Sequence, residues 1–526
     1  MSLATLSYRE TGRFTPLVPD YLDQVPALQE FYKWPPTAEG LADAAKARTF
    51  DPATRKVLCA ALERQYADLP MHAEVRRNLD HLARQGTLTV TTGHQLCVFT
   101  GPLYVPFKLL NVIKLARTLS TPERSVVPVF WMATEDHDRA EIDHTYINGK
   151  KVQWPGEAGG AVGRMHLDGI EAVLRQVDEL LGPGSHADEL RELLHSCYRP
   201  EYTLADATRR FVNALFGRFG LVILDADEAG LKTAFAPVMR EDLLNEVASR
   251  SVQYADGKLA GHYKVQAHAR AINLFHLRPA HRSRIELQGE RYQVLDGGPS
   301  FTLDGLLQEL EQHPENFSPN VLLRPVYQEV VLPNIAYVGG GGELAYWLQL
   351  RWLFQAVQVP MPVLLLRTSA AFIGANDLSR AEKLGLRIPD LFKPADDLRA
   401  EVAKARASFT TDITTERGAA EAYYAALAQR AKAADPTLNG SVEALAKRAL
   451  HGLDRLEKKL LRAAKRQQQE PLDQLDRVLD HLFPGGGLQE RHENFMPWYV
   501  REGPAFFDRM LAALDPLDPR FQVLEQ

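Results

Sequence analysis

Apolar runs and helical patterns alternate through the middle of the chain. Residues 87–93 (TLTVTTG) form a β-rich run, residues 103–119 have the pattern of a helix, and residues 125–134 are again an apolar run. This succession of strand, helix and strand is typical of a parallel sheet. The same reasoning predicts a helix around 203–219, a strand at 220–227, strands within 335–347 and 361–369, and a helix at about 342–357.

Two stretches interrupt this alternation. Residues 145–200 are glycine-rich and then helical, and residues 246–319 carry short polar strands. We interpret them as insertions into one sheet, or as a second subdomain. The predicted fold is therefore α/β, with a parallel-sheet core made of residues 81–144, 201–245 and 320–375. A helical segment, residues 1–80, precedes the core, and in it Asp51 and Pro52 have the spacing of a helix start.

Residues 395–475 have the pattern of long helices. Along one of them apolar residues recur at steps of four and three, which predicts a coiled-coil seam. This seam consists of Val442, Ala446, Ala449, Leu453, Leu456, Leu460 and Ala463. Because DPTLNG (435–440) separates this helix from the preceding one, we expect an antiparallel hairpin. Its other face is basic, which is typical of solvated surface and alternatively of RNA contact. Residues 476–526 are expected to return to the core.

Composition and charge narrow the class of protein. The 526 residues are 45% hydrophobic, and 61 Lys+Arg against 67 Asp+Glu give a net charge of −6, which argues against nucleic-acid or anionic-membrane partners. Three cysteines exclude a disulfide framework. The N-terminus lacks a signal-peptide pattern, and no apolar run reaches the ~18 residues of a membrane span. We expect a cytoplasmic protein.

The first candidate cluster lies where the strand at 87–93 ends. Gly93, His94 and Gln95 lead towards the helix that carries Lys108. Ligands of open α/β sheets bind at such strand ends, and a helix N-terminus favours a phosphate or carboxylate. The alternative is a tight turn in which His94 is only a cap. Cys97, three residues after His94, is interpreted as a buried small hydrophobe and not as a nucleophile.

The second cluster follows the strand at 125–134. Glu135, Asp136, His137 and Asp138 stand at the carboxyl edge of the predicted sheet, which favours an active-site role. If a helix begins near residue 135, His137 and His144 share one face of it. Acidic residues also stabilise a helix N-terminus without any catalytic role. A metal is the weaker alternative, because the spacing matches no standard site.

A third cluster surrounds four consecutive glycines. These glycines allow a ligand to approach the backbone, and Arg324 can bind a carboxylate or phosphate with two hydrogen bonds. The alternative is a flexible loop with Arg324 in an internal ion pair. The candidate residues are Arg324, Gln328, Asn334, Tyr337, Gly341, Glu343 and Gln349.

A fourth cluster lies near the C-terminus. Amide, acid and guanidinium side chains at Gln489, Glu490, Arg491 and Asn494 could grip a nucleotide. They could equally fasten the C-terminal segment onto the core. The residues alone do not separate these two interpretations.

Taken together, the motifs resemble the BshC family, the cysteine ligases of bacillithiol biosynthesis. The resemblance rests on TTGHQLCVFTGPLYVPFK, PVFWMATEDHDRAEIDH, NVLLRPVYQEVVLPNIAYVGGGGELAYWLQL, DPTL and LFPGGGLQER, in this order over about residues 85–500. It implies a Rossmann-like core with connecting-peptide insertions, a coiled-coil domain and a homodimer. It also implies addition of L-cysteine to glucosaminyl-malate as the last step to bacillithiol.

The family is likened to class I aminoacyl-tRNA synthetases, but the chain lacks their HxGH and KMSKS motifs. It has Gly93-His94-Gln95 instead, and Arg367-Thr368-Ser369, which lacks lysines, follows the last predicted strand at the place of such a lysine loop. Activation by ATP or another nucleotide is therefore expected on chemical grounds, because amide formation from a free carboxylate is unfavourable in water. No metal is predicted.

The resemblance suggests a division of roles. His94 and Lys108 are expected to contact the activating phosphate or the acyl oxyanion, and Asp136, His137 or Asp138 the amine, with one of them as base. Arg324 would bind the malyl carboxylates, while Glu343 and Gln349 would bind sugar hydroxyls or the cysteine amine. The alternatives are a synthetase-like enzyme for another amine or RNA acceptor, and a non-catalytic scaffold.

Overall fold

The computed structural model describes residues 2–157 and 159–526. The chain divides into two compact units. The larger is built mainly from Arg13–Ala371 and Gly487–Gln522, and the smaller mainly from Phe372–Gly486. Among the described residues, no helix combines the length and the apolar character that a membrane span needs.

A parallel sheet forms the core of the larger unit. Its strands are β1 (Leu88–His94), β2 (Val126–Met132), β3 (Val222–Asp225), β4 (Asn334–Gly339) and β5 (Val363–Leu366). They lie in the order β3-β2-β1-β4-β5, and all neighbouring pairs are parallel. The strands are buried along nearly their whole length, including the threonines of β1, as expected for a parallel sheet that helices cover on both faces. This order confirms the predicted α/β, Rossmann-like fold, and its direction reverses between β1 and β4.

Helices connect the core strands. Those that position the site are α1 (Tyr104–Leu119), α2 (Leu204–Phe216), α3 (Leu323–Val331) and α4 (Gly341–Leu348). The helix predicted at 342–357 is two helices, since a separate one spans Arg351–Ala356. At the break, the Gln349 side chain turns inwards and accepts the backbone N–H groups of Gln266 and Ala267.

The stretches 145–200 and 246–319 have structures of their own. His144–Ile147 and Lys150–Gln153 form an antiparallel pair, followed by helices Ile170–Leu181 and Ser185–Cys197. A second, antiparallel sheet has the strand order Ser300–Phe301, Arg291–Val294, His281–Gln288, Leu274–Arg278 and Phe317–Pro319.

The remaining elements complete the chain. Asp51 caps the helix Pro52–Tyr66 through the Thr54 N–H at 2.8 Å, as predicted. The other helices are Tyr8–Thr11, Leu17–Leu22, Ala38–Ala47, Ala73–Leu82, Arg139–Ile142, Ala229–Asn245, Val247–Leu259, Leu303–Gln312, Ala375–Lys383, Met496–Glu502 and Ala505–Ala513. The other strands are Ser2–Ser7, Ala370–Ile373 and Arg520–Glu525.

The smaller unit contains the predicted helical hairpin. Its long helices are α5 (Ala395–Arg406), α6 (Thr414–Ala434), α7 (Asn439–Gln467) and α8 (Gln469–Leu482). An ion pair of 2.6 Å joins Arg417 on α6 to Asp454 on α7, at equal distances from the turn, so the two helices are antiparallel. The predicted seam of α7 is buried or half-buried except at Leu456, which is 46% exposed.

The turn between β1 and α1 has an unusual backbone. Phe99, Thr100 and Gly101 all have positive φ angles, of 55°, 69° and 67°. For Thr, a β-branched residue, this conformation is a real outlier and must be held by its surroundings. Asn494 holds it, because its side-chain amide donates to the carbonyl oxygens of Phe99 at 3.0 Å and Gly101 at 2.7 Å.

We expect Gly101→Ala to destabilise the larger unit. A Cβ atom at this position would lie 2.6 Å from the Cys97 Cβ, in a backbone region that favours glycine. The expected loss is about 2–3 kcal/mol in the free energy of unfolding, measured by urea denaturation. The control is Gly86→Ala, which has a φ of 83° but open space around it and should cost about 1 kcal/mol. Equal losses in both variants would contradict the contact with Cys97.

Candidate active site

A cavity of about 930 Å³ opens at the carboxyl ends of the core strands. His94 at the end of β1, Glu135 after β2 and Gly340 after β4 line one side of it. The inserted antiparallel sheet supplies the opposite side, through residues such as Phe275 and Arg282. The cavity therefore lies where the strand order reverses, which is where open α/β sheets bind ligands.

The cavity brings together residues from all four predicted clusters. The predicted residues that line it are Gly93, His94, Gln95, Glu135, Asp136, His137, Arg324, Tyr337, Gly341, Glu343 and Arg491. Segments that are up to about 400 positions apart in the sequence thus meet around one space.

Lys108 supports this site from behind and does not line it. Its ammonium group is 1% exposed and donates to the Gly93 carbonyl oxygen at 2.6 Å and to Glu343 at 2.7 Å. The sequence suggests that Lys108 contacts a phosphate or oxyanion directly. In the structure it is buried behind the cavity wall and is not positioned for such a contact. Lys108 instead joins the end of β1 to the start of α4.

Glu343 is held as a carboxylate in this network. It accepts hydrogen bonds from the Gly340 N–H at 2.8 Å and from the Tyr337 hydroxyl at 2.5 Å. Burial alone would favour its neutral form, but Lys108 and these donors lower the pKa of Glu343 to about 2. Burial also lowers the pKa of Lys108, and the Glu343 carboxylate opposes that effect.

His94 is a neutral imidazole at the wall of the cavity. Burial, with Lys108 and Arg367 nearby, lowers the pKa of His94 to about 3. Its Nε2 lies 3.7 Å from the Cys97 Sγ and 3.5 Å from the Tyr104 hydroxyl. Burial also raises the pKa of Cys97 to about 12, which disfavours a thiolate, and the side chain is buried as its interpretation as a small hydrophobe predicts.

The acidic segment after β2 is a turn. The condition that a helix begins near residue 135 is not met, because Asp138 has non-helical backbone angles and the helix spans only Arg139–Ile142. The Asp136 carboxylate accepts the His137 N–H at 2.7 Å, which favours the turn. His144 begins a strand, so the two histidines share no helix face. Asp138 is exposed and is not among the residues that line the cavity.

Asp136 and Glu135 are adjacent but electrostatically different. Asp136 also accepts a hydrogen bond from the Gln95 amide at 2.7 Å, and although burial opposes it, these bonds and Arg282 lower its pKa. Glu135 lies deeper, 2.5 Å from the buried Lys232, and burial raises its pKa despite that partner. In the part of the chain that the structure describes, no three His, Cys, Asp or Glu side chains are grouped to hold a metal ion.

Arginines line both sides of the cavity. Arg324 donates to Gln328 and Tyr346, and although burial opposes its charge, Tyr346 and Tyr337 keep its pKa above the ordinary value. The other arginines of the lining are Arg270, Arg282, Arg284, Arg367 and Arg491. Guanidinium groups bind carboxylates and phosphates with matched pairs of hydrogen bonds, so this distribution favours an anionic ligand.

Several residues of the predicted site do not reach the cavity. The Gln328 amide donates to Glu329 at 2.9 Å, and the Asn334 amide donates to the same carboxylate at 2.8 Å. These side chains are buried and already hydrogen-bonded within the protein, so they position the backbone and do not contact a ligand. The same holds for Gln349, which anchors residues 266–267.

The C-terminal cluster mainly attaches its segment to the core of the larger unit. Glu490 is fully buried, 2.7 Å from Arg367, and Asn494 holds the turn after β1. Gln489 is buried as well. The proposed nucleotide contacts of these three residues are therefore not supported, whereas Arg491 lines the cavity.

Sequence reasoning missed the wall that the inserted sheet contributes. The residues involved are His268, Arg270, Phe275, Arg282 and Arg284, together with Tyr104 on α1. The density of Arg and His in HARAINLFHLRPAHRSR (268–284) is a signal that could have indicated an anion-binding surface.

We expect Lys108→Met to destabilise the protein by about 3 kcal/mol, because it leaves the half-buried Glu343 carboxylate without its buried cation. Adding Glu343→Gln should recover part of this loss. Urea unfolding of the two single variants and the double variant measures the coupling. The control is Lys258→Met, which removes an exposed ion pair with Glu30 and should cost less than about 1 kcal/mol. Strictly additive losses would contradict a direct pair.

Comparison with known proteins agrees with this architecture along the whole chain. The family model for the BshC N-terminal Rossmann-like domain of bacillithiol biosynthesis matches residues 1–368, and the model for the BshC C-terminal coiled-coil domain matches residues 372–526. Relatives with the name "Putative cysteine ligase BshC" occur in Flavobacterium johnsoniae (39% identical, 99% of both chains) and Christiangramia forsetii (38%, 99% of this chain and 98% of the relative). A further relative with this name, from Salinibacter ruber, is 33% identical over 96% of this chain and 95% of its own. With its Rossmann-like sheet, its coiled-coil domain and these matches, the chain belongs to the BshC family of bacillithiol biosynthesis.

Proposed function

We propose that this protein is a ligase that joins L-cysteine to the glucosamine amine of glucosaminyl-malate, the last step of bacillithiol biosynthesis. The observation that carries the proposal is the cavity, which arginines of the core and of the inserted sheet line together with the adjacent carboxylates Glu135 and Asp136. It supports a substrate that has both acidic groups and an amine. The relatives' names support the class of reaction.

Forming this amide requires an activated cysteine carboxyl group. ATP or another nucleotide is the proposed source of activation, and the arginines of the lining are suited to its phosphates. The protein's own part is to orient the acyl donor and the amine and to stabilise negative charge on the acyl oxygen. Arg324, whose guanidinium is always charged and lines the cavity, is proposed to bind the malyl carboxylates.

Asp136 and Glu135 are proposed to have different roles towards the substrate amine, one in binding and one as base. The lowered pKa of Asp136 keeps it ionised, so it can hold the substrate ammonium group. The raised pKa of Glu135 makes it the better proton acceptor of the two. Two neighbouring carboxylates whose environments separate their pKa values in this way suit one binding role and one base role. His94 supplies a neutral imidazole for hydrogen bonding to the same substrates.

Thiol profiling of the source organism tests the function. Deletion of the gene should abolish bacillithiol and accumulate glucosaminyl-malate, and the wild-type gene should restore both levels. Complementation with Asp136→Asn should lower bacillithiol formation by at least about 100-fold, because the cavity loses its ammonium anchor. The matched control is Asp138→Asn, two residues away and outside the cavity, which should complement fully.

A normal bacillithiol level in the deletion strain would contradict the proposed function. Full complementation by Asp136→Asn would retain the reaction and remove the role of Asp136.

We also propose that the hairpin formed by α6 and α7 mediates a homodimer. Large apolar side chains are exposed along it, at Tyr423 (63%), Leu438 (45%), Leu445 (49%) and Leu456 (46%). A hairpin exposes such a row of side chains at a cost unless a partner covers it. The basic residues beside the row are then rim contacts, which explains them without RNA.

Light scattering tests this interface. The wild-type protein should have twice the 58.9 kDa mass of one chain. Leu445→Glu with Leu456→Glu should give monomers, because two charges would be buried at the interface. Leu244→Glu, at an exposed apolar site on helix Ala229–Asn245, is the control and should remain dimeric. A dimeric double variant would contradict the proposed surface.

A further inference from the structure

Arg282 projects from the inserted sheet into the cavity in a fixed orientation. Its Nε donates to the Ser318 hydroxyl at 3.0 Å, and its Nη2 donates to the Pro319 carbonyl oxygen at 2.8 Å. The guanidinium also stacks on the Phe275 ring, 3.9 Å from the ring centre. Because the group is planar and held at three points, the direction of its remaining N–H groups is set as well.

The remaining nitrogen, Nη1, points at His137. It lies 2.9 Å from the His137 Nδ1, at the distance of a hydrogen bond. A guanidinium is always charged and can only donate, so Nδ1 must be the acceptor and carries no proton. In the neutral imidazole the proton is then on Nε2. The His137 ring is partly exposed and lines the cavity, so this N–H is available to a ligand.

Asp136 competes with Arg282 for the same nitrogen. Its Oδ1 lies 3.5 Å from the His137 Nδ1 and, as an acceptor, would favour a proton there. The same oxygen is already engaged by the His137 backbone N–H at 2.7 Å. The two neighbours thus demand opposite tautomers, and the shorter contact, to Arg282, favours the one with the proton on Nε2.

We propose that Arg282 is a positioning residue that holds His137 as an Nε2–H hydrogen-bond donor facing the cavity. In this state His137 cannot take a proton from the substrate amine through Nδ1, and its Nε2 already carries one. Its partner is an oxygen atom, of a carboxylate or of the acyl group. Of this proposal, only the identity of that oxygen atom rests on the proposed function. The proton of the substrate amine is then removed by a carboxylate of the cavity.

Nitrogen NMR of the full chain, with ¹⁵N-labelled histidine, reads the tautomer directly. The His137 signals are assigned by their loss in His137→Gln. The wild-type protein at neutral pH should have the Nε2–H form in at least about tenfold excess, from one charge-assisted hydrogen bond. In Arg282→Met the excess should fall to threefold or less, because Asp136 then attracts the proton to Nδ1. Arg284→Met removes an equal charge from the same strand and should leave the excess unchanged.

A wild-type His137 that is mainly Nδ1–H or imidazolium at neutral pH would overturn the proposal, and this result does not depend on the folding of Arg282→Met. An undiminished excess in a folded Arg282→Met would overturn it too.

Complementation provides a second readout. Glutamine places an amide N–H close to the position of the histidine Nε2, whereas alanine has no donor. His137→Gln should therefore form at least tenfold more bacillithiol than His137→Ala if His137 acts as a donor, and equal losses would overturn that role. If bacillithiol does not depend on this gene, the proposed function fails while the NMR result still decides the tautomer.

Discussion

A buried ion pair between Lys108 and Glu343 holds the two strand ends between which the cavity opens. Lys108 belongs to the helix after β1, and its ammonium group also donates to the Gly93 carbonyl oxygen at the end of that strand. Glu343 belongs to the helix after β4 and caps its first turn through the Gly340 N–H. The two strands are paired neighbours, and the strand order reverses between them, which in an open α/β sheet leaves a crevice outside their carboxyl ends. The pair closes it from beneath and leaves the space above for a ligand.

The cavity next to this ion pair is lined by both positively and negatively charged side chains. Arginines lie on opposite sides of the cavity, and Glu135 and Asp136 lie between them at the end of β2. Burying charge is unfavourable, so each group is fixed by a partner within the protein: Lys232 for Glu135, Gln95 for Asp136, and aromatic hydroxyls for Arg324. Such a site is organised before a substrate enters, which suits the proposed amide formation, because fixed charges need not reorganise during the reaction.

The local sequence pattern predicted correctly those elements whose structure depends on residues nearby in the chain. The β-rich run at 87–93 is the strand Leu88–His94, the helical pattern at 103–119 is Tyr104–Leu119, and Asp51 caps the helix that it precedes. It failed after β2, where four polar residues have the composition of a helix start. There the Asp136 side chain takes the next backbone N–H and a turn forms instead. Local propensity could not reveal this, because Gln95 and Arg282 also engage the Asp136 carboxylate from other segments.

The sequence by itself determined the alternation of strands and helices, the long hairpin, the family and the edge of the sheet at which polar residues gather, because each depends on neighbours in the chain or on motifs read in order. Only the tertiary structure decided which of those polar residues face the cavity. Lys108, Gln349, Glu490 and Asn494 have the chemistry of ligand contacts, yet partners far away in the sequence occupy their polar atoms. Conversely, nothing in the sequence distinguishes Arg282 from the other Arg and His residues of 268–284, and it reaches the site because the inserted sheet lines the cavity together with the core strands. A side chain's role depends on which groups compete for its hydrogen bonds, and that competition exists only after distant segments have packed together.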